Sequence, residues 1–201
     1  LAEGIRAAAD REVTVIEAAE RILARVAAPA TSDYFRELHR GHGVEIREGA
    51  TLVRLVGDAA GHVTGGEMSD GTVIAADVVL VGIGVVPNTG LAEAAGLAVA
   101  DGIVVDAAGR TSEPRVFAAG DCARFPDRGA MIRIESVPHA IDQAEAVAGA
   151  MLGIATEYVA RPWFWSDQYD VKLQIAGLNT GYARTVTRPG AREGTQSVWY
   201  Y

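Results

Sequence analysis

Four groups of residues have types and spacing that could do chemistry. The first is Gly120-Asp121, which closes the apolar run Val116-Phe117-Ala118-Ala119. A run of that length, bounded by Pro114 and Gly120, reads as a strand buried on both faces, as in a parallel sheet. Glycine and then aspartate at its carboxyl end would put a bare backbone N–H and a carboxylate where open α/β sheets take their ligands. Glycine lets a bulky ligand approach the main chain, and aspartate accepts hydrogen bonds from sugar-type hydroxyls. A buried strand followed by an ordinary aspartate turn accounts for the same residues equally well.

The second is Glu17, the carboxylate that closes the β-branched run Arg11–Glu17. In dinucleotide-binding βαβ units an acid at this point bonds the adenosine ribose, about 20 residues after a glycine-rich turn. Counting back that far from Glu17 passes Leu1, so on residues alone a solvent-exposed strand-end glutamate is the simpler reading. The third is Gly82-Ile83-Gly84, where Pro87 interrupts and the third glycine of a GxGxxG is missing. It reads as a bend after a buried strand Asp77–Val81, or as a glycine-rich turn between domains. The fourth is Trp163-Phe164-Trp165, which gathers two of the three tryptophans into one turn: an aromatic wall beside a cofactor, or a hydrophobic plug between domains.

The elements that must position these groups follow from periodicity. Leu1–Asp10 carries helical spacing. Thr31, Ser32 and Asp33 offer N-caps for a helix Tyr34–Arg40 that stops at Gly41 or Gly43. Short strands are predicted at 44–46, 52–56 and 102–106, with 63–68 and 72–74 flanking the hairpin signal Asp70-Gly71. A short helix spans Leu91–Ala95, ended by Gly96, and Pro126–Gly129 reads as loop. The longest helix starts at Pro138, where the missing N–H is tolerated, with Ile141, Ala144, Ala148 and Met151 or Leu152 as its buried stripe. Strands follow at Val171–Ile175, Thr180–Thr187 and Gln196–Tyr201.

Bulk properties narrow the field. A net charge of −8 over 201 residues, with no basic run, argues against a nucleic-acid surface. No apolar stretch approaches the roughly 20 residues of a membrane helix. Cys122 is the only cysteine, so the chain forms no internal disulfide and no cysteine-rich metal site, and a reducing, cytoplasmic setting is favoured.

The runs VTVIEAAERILARV, DVVLVGIGVVPNT, RTSEPRVFAAGDCA, RIESVPHAIDQA and PWFWSDQYDVKLQIAGL, in this order, resemble the FAD-dependent, NADH-using ferredoxin reductases. They cover most of residues 11 to 182. GDCA, then an ESVP helix, then PWFWSDQ is a specific combination within the wider disulfide-oxidoreductase superfamily. The resemblance implies an α/β flavoprotein of glutathione-reductase-like, two-dinucleotide-binding-domain plan. Residues 1–81 correspond to a partial NAD-binding domain, 82–154 to the C-terminal half of the FAD-binding domain and 155–201 to the start of a C-terminal αβ domain. The chain would then be an internal fragment that by itself holds no flavin and oxidises no NADH, the activity belonging to the parent protein.

By the same resemblance, Asp121 binds the ribityl or pyrophosphate part of FAD, with Gly120 giving the approach. Val137 offers backbone hydrogen bonding to the flavin pyrimidine edge, and the helix begun at Pro138 points its positive end there. Trp165 lies beside the isoalloxazine, and Glu17 and Arg25 meet the NADH ribose. Ile83, Gly84 and Glu135 frame the nicotinamide, and no metal site is implied. His139 stands where the family often carries asparagine and is expected to donate a hydrogen bond there rather than titrate. The implied activity passes electrons from NADH through FAD to a [2Fe–2S] ferredoxin serving a P450 or a ring-hydroxylating dioxygenase. Rubredoxin, a quinone or a disulfide are alternative acceptors, and an inert nucleotide-binding fragment is the non-enzymatic alternative.

Overall fold

The computed structural model describes residues 11–155 and 157–201, so the helix expected over Leu1–Asp10 lies outside the described residues. The chain divides into two compact units. One takes in the described residues up to Gly82 together with Asn179–Tyr201; the other is Ile83–Leu178.

In the first unit, β1 (Thr14–Glu17) pairs in parallel with β2 (Glu45–Glu48), from Thr14 opposite Glu45 to Glu17 opposite Glu48. A parallel pair needs a crossover, supplied by a loop and helix α1 (Pro29–Gly41). The helix begins earlier than the capping residues suggested. Pro29 occupies its first turn, where proline loses no hydrogen bond, and Ala28 sits at the cap position. Thr31 and Ser32 are therefore buried inside the helix, and Ser32 donates to the Ile22 carbonyl at 2.6 Å instead of capping. Gly41 ends the helix, one of the two stops expected.

Glu48 fixes the loop between β1 and α1. Its carboxylate accepts the Ile22 N–H at 2.8 Å and both Arg36 Nε and Nη2, at 2.7 and 2.9 Å. The paired guanidinium holds Glu48 below the usual carboxylate range and raises Arg36 in turn. β3 (Leu52–Gly57), β4 (Val63–Met68) and β5 (Val73–Ala75) form an antiparallel meander, with the hairpin at Asp70-Gly71 as expected.

Asp77–Val81 is not a strand. Val78, Leu80 and Val81 are 73 %, 53 % and 66 % exposed, because among the described residues no neighbour completes a ladder with this run.

In the second unit, α2 (Gly90–Ala94) matches the expected short helix. β6 (Ile103–Val104) pairs in parallel with β7 (Ala123–Asp127), which pairs antiparallel with β8 (Ala130–Ile132). The hairpin replaces the loop expected at Pro126–Gly129. Arg128 and Gly129 both take positive φ, the geometry of a two-residue hairpin turn, and Pro126 lies beyond the last β7 residue that β6 pairs with, so no ladder bond is lost there.

The run Val116–Ala119 is also not a regular buried strand. It folds back on the preceding turn, with Phe117 bridging Arg110 and the Ala118 N–H bonded to the Gly109 carbonyl at 3.0 Å. The strand of the sheet comes three residues after Gly120, not before it.

Helix α3 (Val137–Met151) is capped by the Ser136 hydroxyl and starts one residue ahead of Pro138. Its buried residues include His139, Gln143, Val147 and Ala150; the expected stripe of Ile141, Ala144, Ala148 and Met151 is exposed. Polar residues took the inner face because their hydrogen bonds are made there, an outcome apolar periodicity cannot anticipate. The core around them comprises Val105, Ala123, Phe125, Ile134, Tyr158 and Ala160.

β9 (Trp163–Gln168) and β10 (Val171–Ala176) close this unit as an antiparallel hairpin. The tryptophans thus lie on a strand, not in a turn. Their spacing of two puts both on one face, where the rings stack at 5.0 Å.

β11 (Thr185–Pro189) and β12 (Gln196–Tyr200) pair antiparallel, the former starting later than the expected Thr180. They pack with the first unit: Tyr200 Oη accepts the Ala28 N–H at 2.8 Å, and Asn179 Nδ2 donates to the Ala24 and Ala27 carbonyls at 3.2 Å. The chain's end thereby secures the loop that carries Arg25.

Candidate cofactor site

The Gly120-Asp121 turn sits between the folded-back run and β7, and its geometry is set by α3. Gly120 has φ +80°, a conformation that disfavours any side chain. Its N–H donates to Gln143 Oε1 at 2.7 Å in a buried contact, and its carbonyl accepts the Ala123 N–H at 2.9 Å. The bare N–H expected at this position is therefore occupied from within. A Cβ built there would lie 3.5 Å from Ala140 Cβ, so the absent side chain faces α3.

Asp121 presents an exposed residue on a fixed backbone. Its carbonyl accepts Arg133 Nη1 at 3.0 Å, and the same guanidinium pairs with Glu135 at 2.7 Å and reaches Asp101 at 3.6 Å. Arg133 thus brings Asp121 and Glu135, two of the expected site residues, onto one partner. Glu135 is consequently an ion-paired carboxylate. Val137 and Pro138 follow directly in the first turn of α3, with Val137 exposed.

His139 is buried inside its own unit. Its ring stacks on Phe125 at 5.1 Å and Nδ1 meets Tyr158 Oη at 2.8 Å, while Nε2 is buried with no hydrogen-bond partner among the described residues. Burial pushes its pKa below the ordinary value, opposed by the nearby Asp121 and Asp142 charges and the Gly120 carbonyl. The partner of Nδ1 is thus Tyr158, within the unit. Burial likewise raises the Tyr158 hydroxyl.

Glu17 and Arg25 belong to the first unit. Glu17 ends β1, and its Oε1 turns back to accept the Ala19 N–H at 2.8 Å, while Arg25 is exposed on the loop beyond. Ile83 and Gly84 begin the second unit in a bend, where Gly84 has φ +103° and Ile83 is 90 % exposed. Trp165 is about half exposed beside Trp163. Among the described residues no group of three His, Cys, Asp or Glu could hold a metal ion, and no helix is long and apolar enough to cross a membrane.

Sequence reasoning missed three residues that shape this site: Gln143, Arg133 and Tyr158. The available signal was the polar pair His139 and Gln143, one helical turn apart in an alanine-rich helix. Two polar groups on one face of such a helix either face water or share a buried task.

Residues 1–144 match the family described as pyridine nucleotide-disulphide oxidoreductase. The chain belongs to this family. Residues 163–201 also match the family described as reductase C-terminal. A ferredoxin–NAD(P)(+) reductase of a Sphingomonas species is 44 % identical over 203 residues, spanning 99 % of this chain and 49 % of that protein. The crystal structure of a ferredoxin reductase from Rhodopseudomonas palustris superposes with a TM-score of 0.94 at 43 % identity, covering all of this chain and 50 % of that one. Putidaredoxin reductase, solved in covalent complex with putidaredoxin, gives 0.87 at 42 % identity, over 94 % of this chain and 46 % of that one. The chain spans about half the length of the relatives it matches.

Proposed function

We propose that the protein is a flavoprotein oxidoreductase that passes electrons from NADH through FAD to a [2Fe–2S] ferredoxin serving a cytochrome P450 or a ring-hydroxylating dioxygenase. One observation carries this reading. The likeness to ferredoxin reductases exceeds 40 % identity and runs through both the turn at Gly120-Asp121 and the tryptophan-bearing C-terminal segment. Residues 1–81, 82–154 and 155–201 would then descend from an NAD domain, the returning half of an FAD domain and a C-terminal reductase domain. The lone Cys122 suits a cytoplasmic location.

The residues present suit such a cofactor. An exposed carboxylate on a backbone clamped at both neighbouring peptides is a fit for ribityl or ribose hydroxyls, and Asp121 would hold the flavin there. The N-terminal end of α3 carries roughly half a unit of positive charge, which would favour negative charge at a pyrimidine edge near Val137 and Pro138. Trp165 offers an exposed aromatic face for the isoalloxazine, and Glu17 and Arg25 would meet the NADH ribose, with Ile83, Gly84 and Glu135 near the nicotinamide. When bound, the flavin supplies two-electron uptake and one-electron release.

NADH oxidation by the full-length protein of which this chain is part, followed with a [2Fe–2S] ferredoxin, a rubredoxin and a quinone as competing acceptors, tests the reading. Turnover that requires the ferredoxin is expected; equal or faster turnover with either of the others would overturn the assigned acceptor. In the full-length protein Asp121→Ala should lower the flavin retained through purification, and full occupancy in that variant would remove Asp121 from the site.

A further inference from the structure

We propose that Gln143 is a positioning residue for the cofactor, holding the Gly120-Asp121 turn so that the Asp121 carboxylate is aimed at its ligand. This role rests on the reading that FAD binds at the turn.

Gln143 is 1 % exposed on a helix rich in alanine. A buried amide there is unfavourable unless its polar atoms are bonded, and an apolar residue of similar length would pack without that cost. Its Oε1 takes the Gly120 N–H at 2.7 Å. That N–H would otherwise be a buried orphan, because the run before Gly120 does not enter a sheet and offers it no ladder partner. The Gly120 carbonyl is held by Ala123, and the Asp121 carbonyl by Arg133. Gln143 and Arg133 therefore clamp the backbone on either side of the Asp121 carboxylate, one from helix α3 and the other from the segment following β8. Each side-chain hydrogen bond is placed where a rotation of the turn would swing that carboxylate.

The arrangement also makes an energetic claim. If Gln143 acts only through the aim of Asp121, its effect on cofactor affinity should vanish once that carboxylate is gone. A double-mutant cycle reads this directly. FAD dissociation constants are measured by flavin fluorescence on the reconstituted full-length protein as wild type, Gln143→Met, Asp121→Ala and the double variant, alongside urea unfolding of the flavin-free proteins. Gln143→Met should weaken FAD about ten-fold in the wild-type background and less than about two-fold beside Asp121→Ala. Gln143→Glu, which keeps an acceptor oxygen in place, should recover most of the affinity.

Should Gln143→Met fail to fold, Gln143→Asn, one methylene too short to reach Gly120, takes its place in the cycle. Unchanged affinity in the single variant, or the same loss in both backgrounds, would overturn the role. A full-length wild type that binds no FAD would instead overturn the functional reading on which it stands.

Discussion

Tyr158→Phe removes one atom from the core of the second unit and isolates the hydrogen bond that burial of His139 depends on. The phenylalanine ring can keep the edge-on contact with Phe125, now 5.3 Å between centroids, so no cavity is opened. What is lost is the 2.8 Å bond from Tyr158 Oη to His139 Nδ1. The variant therefore takes away the hydrogen-bond partner of Nδ1 in a buried imidazole. Leaving a buried polar group unsatisfied costs about 1–3 kcal/mol, and a loss near 2 kcal/mol is expected. For a chain of this length that is roughly 4–8 °C in Tm.

Urea unfolding at pH 8 gives the loss directly. The pH dependence of the wild type supplies a second reading with its own sign. The folded pKa of His139 lies below its ordinary value, so the unfolded state binds more protons in acid. Its contribution to stability is full above about pH 6.5 and declines as pH falls from there toward the folded pKa. His139→Asn should flatten that part of the curve. A Tyr158→Phe stability within 0.5 kcal/mol of wild type, about the scatter of a neutral surface change, would refute the reasoning, because it would mean the imidazole has no need of the hydroxyl.

Three further perturbations test other parts of the structure. Glu48→Ala breaks the two-point pairing with Arg36 and frees the Ile22 N–H, so a loss of about 1–2 kcal/mol by urea unfolding is expected, with faster amide exchange at Ile22; unchanged exchange there would show the loop is held by other means. Because the Glu48 pKa is lowered in the folded state, its contribution is present above about pH 4.5 and fades as pH falls through the folded value. At Gly109 an added Cβ would run into Val147 Cγ2, so Gly109→Ala should cost about 1–3 kcal/mol in thermal unfolding, and an unaltered midpoint would contradict the packing. Glu17→Ala should narrow the preference for NADH over NADPH about ten-fold in steady-state kinetics, and equal selectivity before and after would take Glu17 out of the nucleotide site.

Elements whose stabilising partners are local were legible in the sequence. The hairpin at Asp70-Gly71, α2 with its Gly96 stop and the alternating strand from Val171 all follow from spacing and turn chemistry, and all are present; the strand ending in Glu17 was legible from its β-branched run although its partner β2 is distant. Elements read as buried from apolar runs were not recovered as such. Val78, Leu80 and Val81, and Ile141, Ala144 and Ala148 on α3, are exposed, because an apolar run becomes a buried strand or stripe only against something that covers it. The hairpin through Pro126 was hidden by a proline that is harmless only in this register, a fact set by where β6 stops. At the site, residue types at Gly120 and Asp121 were legible, whereas the partners Gln143 and Arg133 were not. Both lie more than ten residues away in sequence, and only folding brings them to the turn.

The role of Gly120 changes accordingly. A glycine before a carboxylate suggests a main-chain donor offered to the ligand, yet its donor is the group the fold most needs to satisfy internally. A donor already bonded at 2.7 Å to a buried amide could turn to a ligand only by orphaning that amide oxygen. The turn is better understood as a hinge locked from behind. Glycine supplies the positive φ that points the chain back, Gln143 and Ala123 fix both polar groups of that glycine, and Arg133 fixes the next carbonyl. On the proposed reading, recognition would then fall to the Asp121 carboxylate, whose affinity for hydroxyls would depend on how little the backbone behind it can rotate.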